Sequence, residues 1–333
     1  MKIAIIGYGY WGPNLLRNFA ETEDAEVAWC ADQRPQRRSL AQKRYPALRT
    51  TDNPEDVFGD PQVDAVVIAT PVSTHFPLAK RALECGKHVL IEKPMARTAG
   101  EVEELIALAQ RNGRVLMVDH TFIYTGAVRK IKEIIARGDL GDLYYFDSVR
   151  VNLGLFQHDI DVLWDLAPHD LSILTHLIPE PPKYVSAIGS DHTGSGMTDV
   201  AYMTVQYANS LIAHFHVNWL SPVKVRQILI GGAKQMLVYD DMEPSEKVRV
   251  YDRGITVTTR EGIYKALVDY RTGDMWAPKL EIREALAAAC RHFVDCARSG
   301  KMPVSDGAAG LAVVRLLEAA SRSLAAQGQR TAV

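Results

Sequence analysis

Along its first 120 residues the chain alternates short, almost unbroken apolar runs with longer stretches in which apolar positions recur every three or four residues. The runs are Ile3–Ile6, Val27–Ala31, Ala65–Ala69, His88–Ile91 and Val115–Val118, and helical spacing fills intervals such as Phe76–Cys85 and Gly100–Asn112. Strands that are apolar on both faces belong in a parallel sheet covered by helices on both sides. The expectation is a doubly wound α/β domain over residues 1–120. The pattern then changes. Residues 125–137 read as one amphipathic helix closed by Gly138, and β-branched and aromatic alternation follows in Leu143–Asn152, Tyr184–Gly189, Val200–Tyr207, Leu211–Trp219, Val225–Ile230 and Met236–Tyr239. Consecutive strands separated by turn signals such as Ala208-Asn209-Ser210 and Gly231-Gly232 predict a mostly antiparallel sheet in a second α/β domain, residues 121–333. Leu280–Ala297 and Ala308–Ala326 return to helical spacing, and one of them is expected to pack back on the first domain. The tail after Ala326 is expected to fray.

Composition narrows the class. A length of 333 residues suits two domains. A net charge of -2 implies no nucleic-acid or anionic-membrane surface. No run approaches the roughly 20 apolar residues of a membrane helix. Met1-Lys2-Ile3 opens directly into the first predicted strand, and no signal peptide is expected. Cys30, Cys85, Cys290 and Cys296 lack zinc-like or redox spacing, as expected of free thiols in a reducing cytoplasm, the localisation we expect.

The first apolar run flows into Gly7-Tyr8-Gly9-Tyr10-Trp11-Gly12, a G-x-G-x-x-G motif followed by the helical positions Leu15, Leu16 and Phe19. Gly7 permits the tight turn, Gly9 lets a pyrophosphate reach the backbone, and Gly12 allows the helix to pack closely, with its N-terminal amides aimed at the phosphates. Tyr10 and Trp11 belong to the same loop. Asp32, about 20 residues on, ends the second apolar run, where a carboxylate accepts the adenosine ribose hydroxyls. This context predicts a dinucleotide, with NAD favoured. Arg34, Arg37 and Arg38 keep NADP as the alternative.

Further candidates lie at strand ends. Thr70 and Pro71 follow the Ala65–Ala69 run, where they are expected to border the cofactor, with His75 opening the next helix as a surface or capping residue. Glu92-Lys93-Pro94 ends His88–Ile91; Lys93 is either a desolvated lysine on a substrate oxygen or part of a solvated turn. In Trp164-Asp165-Leu166-Ala167-Pro168-His169-Asp170, Asp165 is read as the N-cap of a helix over Leu171–Ile178, with Pro168 in the first turn. His169, one turn after Asp165, is then a neutral general base steadied by a carboxylate, or else a structural histidine. His214 and His216 share one strand face, with no third metal ligand, and no metal is expected.

The glycine motif, Ala69-Thr70-Pro71, Glu92-Lys93-Pro94 and the Asp165…His169 element occur in one order, and together resemble the Gfo/Idh/MocA family of sugar and cyclitol oxidoreductases over nearly the whole chain. The resemblance implies an N-terminal Rossmann domain and a C-terminal α/β domain with a large open sheet that serves as a homodimer or homotetramer interface. It implies Lys93, Asp165 and His169 as catalytic residues. Gly7, Gly9, Gly12 and Asp32 are implied as cofactor contacts, with Thr70, Pro71, His75 and Glu92 on the nicotinamide and ribose side. Many inositol and sugar dehydrogenases of the family carry an aspartate three residues after the histidine; here that position is Ser172, and Asp170 directly follows His169. Gly7–Asn14, Leu163–Leu174 and Asn218-Trp219-Leu220-Ser221-Pro222 look closer to members that oxidise the 3-hydroxyl of a UDP-sugar. Arg150, Lys224 and Arg226 are then candidate partners of the substrate pyrophosphate, or else solvated strand-face charges. The expected function is hydride transfer between NAD and a sugar alcohol. Alternatives are an inositol or free-sugar dehydrogenase, a keto-sugar-nucleotide reductase, a hydrolase or lyase using NAD transiently, and a non-catalytic NAD-binding regulator.

Overall fold

The computed structural model describes residues 1–154, 159–252, 254–257, 268–271 and 273–333. They form two units, Met1–Tyr124 with Arg283–Glu318, and Thr125–Ile282 with Ala319–Val333. The sheet of the first unit contains β1 (Lys2–Ile6), β2 (Glu26–Ala31), β3 (Arg49–Thr51), β4 (Ala65–Ile68), β5 (His88–Ile91) and β6 (Leu116–Val118). All pairings are parallel, in the order β3-β2-β1-β4-β5-β6. Strand order therefore reverses between β1 and β4, the switch point where ligands bind in doubly wound sheets. Ile3, Ala4, Ile5, Val66, Val67 and Ile68 are fully buried, as strands covered on both faces require.

Five helices, α1 (Gly12–Glu21), α2 (Pro35–Arg44), α3 (Pro54–Phe58), α4 (His75–Glu84) and α5 (Ala99–Arg111), join these strands. The predicted boundaries Phe76–Cys85 and Gly100–Asn112 each fall one residue late. Thr98 explains the start of α5: its side chain accepts from the Glu101 amide while Glu101 caps in return. β3 and α3 escape a periodicity argument because they are only 3 and 5 residues long. A later helix, α8 (Ala285–Ser299), packs on α1 in this unit, with the Phe19 and Phe293 ring centroids 6.1 Å apart. Arg17 bonds Glu284 at its start.

In the second unit, nine strands run β16-β13-β12-β11-β7-β10-β9-β8-β17. They are β7 (Leu143–Leu153), β8 (Tyr184–Ser190), β9 (Val200–Gln206), β10 (Ile212–Asn218), β11 (Leu220–Gly232), β12 (Met236–Asp240), β13 (Val248–Tyr251), β16 (Met275–Trp276) and β17 (Thr331–Ala332). β14 (Gly254–Val257) and β15 (Val268–Arg271) make a separate antiparallel pair. The nine-stranded sheet is antiparallel apart from β7 and β10, which run parallel. Its helices include α6 (Gly126–Ala136) and α7 (Val162–Leu177). Ala213, Phe215 and Val217 of β10 are buried, while His214 and His216 face the other way. His216 stacks on Tyr202 at 4.4 Å between centroids, and His214 Nδ1 lies 3.1 Å from Thr204 Oγ1.

Two expectations for this unit are corrected. The tail does not fray: Thr331 and Ala332 pair with Val185 and Tyr184, extending the open edge of β8. The helix carrying His169 starts at Val162, with Asp161 as N-cap, its carboxylate accepting from the Trp164 amide at 3.0 Å. Asp165 is therefore inside the first turn and Pro168 in the helix interior. Among the described residues, no helix is long and apolar enough to cross a membrane.

Candidate active site

The switch point opens into a cavity of about 450 Å³ lined by Gly7, Asp32, Arg34, Thr70, Pro71 and Thr74 among others. Gly7 turns the chain there with φ +94, and a Cβ on it would sit 2.4 Å from the Ala69 carbonyl oxygen. A Cβ on Gly12 would sit 2.1 Å from the Gly7 carbonyl oxygen, which fixes α1 against the loop. Gly9 differs: the nearest group to such a Cβ is Arg34 Nη2 at 3.7 Å, so packing within the protein does not demand the glycine. Space left open at that residue suits a ligand approaching the backbone. Tyr10 and Trp11 project outward, 74% and 42% exposed, in an edge-to-face pair.

Asp32 is buried and fully engaged. Oδ2 accepts from the Tyr8 amide at 2.7 Å and from Arg34 Nη2 at 2.9 Å; Oδ1 accepts from the Arg34 amide and Nε, each at 2.9 Å. Burial opposes its charge, but the bonds from Arg34 and Tyr8 outweigh that and hold the carboxyl below the usual carboxylate range. The carboxylate, the glycine turn and the start of α1 together fit a dinucleotide.

At the ends of β5 and β6 lies a second group of polar residues. Lys93 is half-buried, and its amide donates to Glu92 Oε2 at 3.2 Å. Glu92, Asp119 and His120 are 8%, 3% and 2% exposed. Burial, then the neighbouring Asp119 carboxylate, push the Glu92 carboxyl up, to about 8. Asp119 is itself raised by burial and is bonded to both Thr121 and Glu92. Two carboxyls this close and this dry share one negative charge. Burial and the Lys93 charge push His120 down, to about 3, so its ring is neutral. Neither His120 nitrogen has a hydrogen-bond partner among the described residues. Asp119 and His120 went unread in the sequence. The available signal was a pair of titratable residues directly after a buried strand, at the sheet end where ligands sit.

Neither His75 nor Glu92 is among the residues lining the Asp32 cavity. His75 is 1% exposed, and its nitrogens point to the Thr70 and Pro94 carbonyls.

In the second unit, α7 carries Asp165 and His169 one turn apart on one face. Asp165 Oδ2 accepts from the indole Nε1 of the fully buried Trp219 at 3.1 Å, an anchor the sequence reading missed. Ser172 Oγ donates back to the His169 carbonyl at 2.6 Å. Because α7 begins at Val162, His169 lies beyond the first turn, where the helix dipole has little hold on its charge. The expectation that a helix N-terminus keeps it neutral is corrected accordingly.

Arg150 is also corrected. It is 3% exposed and grips Asp170, itself 2% exposed, through Nε at 2.9 Å and Nη2 at 2.7 Å. It shares the core face of β7 with Phe146 and Ser148, so it is a structural ion-pair partner rather than a surface cation for a pyrophosphate. Arg226 is partly buried and pairs with Asp241 at 3.3 Å, whereas Lys224 is exposed.

Residues 1–120 match the family description "Oxidoreductase family, NAD-binding Rossmann fold", and residues 128–238 match "GFO/IDH/MocA C-terminal domain". UDP-N-acetylglucosamine 3-dehydrogenase of Acidithiobacillus ferrooxidans is 28% identical over 321 residues, covering 94% of each chain. A solved structure of that enzyme superposes with a TM-score of 0.82 at 26% identity, covering 98% of both chains. The uncharacterized oxidoreductase YdgJ of Escherichia coli K12 is 29% identical over 260 residues, 74% of this chain and 73% of YdgJ.

Proposed function

The chain belongs to the Gfo/Idh/MocA family of NAD-binding oxidoreductases, and from that premise we propose that it moves a hydride between NAD and a secondary alcohol of a sugar, at C3 of a nucleotide-linked sugar. The observation that carries the reaction is the placement of Lys93 at the carboxyl end of β5, in the same sheet whose switch point holds the Asp32 cavity. The sugar-nucleotide reading is supported by likeness to a UDP-N-acetylglucosamine 3-dehydrogenase along almost the entire chain. Ser172, where many inositol dehydrogenases have aspartate, weighs the same way.

Bound NAD supplies the hydride acceptor. In the proposed mechanism His169 takes the hydroxyl proton on a ring nitrogen. Lys93 donates a hydrogen bond to the same oxygen and stabilises the negative charge that grows there. Asp165, anchored by Trp219, steadies the His169 face of α7. Thr70 and Pro71 border the nicotinamide end of the cavity, and Asp32 holds the adenosine ribose. Lys224 and Arg226 remain the proposed cationic partners of a substrate pyrophosphate. We place the homo-oligomer contact on the sheet face carrying Ile188, Tyr202 and Ile212, which are 58%, 40% and 47% exposed.

The test is NADH formation across UDP-N-acetylglucosamine, its uronate, inositol and free hexoses. Turnover with a UDP-sugar and NAD supports the reading. Turnover confined to inositol or free hexoses overturns the substrate class, and none with any alcohol overturns the reaction.

A further inference from the structure

His75 opens α4 with both ring nitrogens aimed at backbone oxygens: Nδ1 lies 2.8 Å from the Pro94 carbonyl and Nε2 2.8 Å from the Thr70 carbonyl. A carbonyl oxygen only accepts, so each contact at that length requires a proton on the imidazole. A neutral ring has one N–H, and its second contact would set one lone pair against another. Turning the ring over does not help, because carbons would then face the oxygens. Only the doubly protonated ring satisfies both contacts.

We infer that His75 is a standing imidazolium that ties the turn after β4 to the turn after β5 and thereby positions Lys93. The inference rests on the role proposed above for Lys93. Thr70 lines the cofactor cavity and Pro94 directly follows Lys93, so one buried ring spans the cavity wall and the lysine turn. Thr74 Oγ1, 2.7 Å from both the Pro71 carbonyl and Thr70 Oγ1, pins the first turn independently. Burial opposes a cation, and the two carbonyl dipoles pointed at it act in the other direction. Of the charged groups around it, Lys80 and Arg81 on its own helix pair with Glu104 of α5 and Glu55 of α3. Glu92 and Lys93 lie on the tied turn, while β4 and Val72–Thr74 carry no charge. His75 is a positioning residue, because its polar atoms are spent on the backbone.

The test is nitrogen-15 NMR of the histidine rings in the full-length protein, assigned through ring-to-backbone correlations. Both His75 nitrogens should carry protons at pH 7.5, and the ring should titrate at least about two units above the ordinary histidine value of about 6.5. An unprotonated His75 nitrogen at pH 7.5 overturns the inference. In parallel, His75→Gln places two donors on one nitrogen and cannot span the two carbonyls. In the folded variant, kcat should fall about tenfold while KM for NAD stays within about threefold. Unchanged kcat overturns the positioning role; should this variant not fold, the wild-type spectrum still decides. Lys93→Met separates the two readings: if it retains turnover, the role of Lys93 fails while the ring spectrum still reports on His75.

Discussion

Arg34 lies flat across the Asp32 carboxylate, with Nε 2.9 Å from Oδ1 and Nη2 2.9 Å from Oδ2. The oxygens suited to ribose hydroxyls are thus held by an arginine whose side chain is 56% exposed. The guanidinium is the solvent-facing member of the pair, so it can swing aside for the ribose, and a 2′-phosphate would draw it away from Asp32. Arg34→Ala should leave the Kd for NAD within about threefold and weaken NADP at least about tenfold. Asp32→Ala should weaken NAD by about tenfold or more. Calorimetric titration with both cofactors checks this; equal losses for NAD and NADP in Arg34→Ala contradict it.

The Arg150–Asp170 pair makes a stability prediction. Removing one partner leaves a buried charge uncompensated, so Asp170→Ala should cost about 3–5 kcal/mol. Arg150→Met combined with Asp170→Leu, which removes both charges and retains bulk, should recover most of that loss. Denaturant unfolding of the single and double variants measures the difference.

Glu92 makes a pH prediction. Its folded pKa, about 8, lies above its ordinary value of 4.5, so its contribution to stability is complete below 4.5 and is lost as pH rises toward 8. His120 and His176, both pushed down in the fold, contribute in the opposite sense, but their contributions are complete above about pH 6.5. Between about pH 6.5 and 8 the unfolding free energy of the wild type should therefore fall relative to Glu92→Gln, which cannot ionise. Parallel curves for the two proteins over that range would contradict a shared charge between Glu92 and Asp119.

Much of this was legible because buried parallel strands leave an unmistakable trace: Ile3–Ile6 and Val66–Ile68 have no polar position to spare for solvent. The cofactor loop was legible for a related reason, since Gly7 and Gly12 sit where any Cβ would strike backbone. Three features were hidden. Pro168 drew the expected start of α7 toward itself, because proline favours a first turn, yet Asp161 caps the helix well before it. Arg150 looked like a surface cation, although its spacing of two and four from Ser148 and Phe146 already placed it on the core face. Trp219 and Asp165, 54 residues apart, meet only through the fold, and no local pattern announces such a pair.

The proposed chemistry predicts that Lys93→Ala and His169→Ala each keep their affinity for NAD and lose at least about a hundredfold in turnover, the share a positioned proton-transfer group ordinarily supplies. Single-turnover kinetics with saturating NAD check it, and near-normal rates in both variants would reject the assigned roles.

The most direct test is a crystal structure of the full-length protein with NAD and a UDP-sugar. One ring hydroxyl oxygen should lie within about 3.2 Å of both Lys93 Nζ and a His169 ring nitrogen. An oxygen reached by only one of the two groups, with the other more than about 6 Å away, would contradict the account.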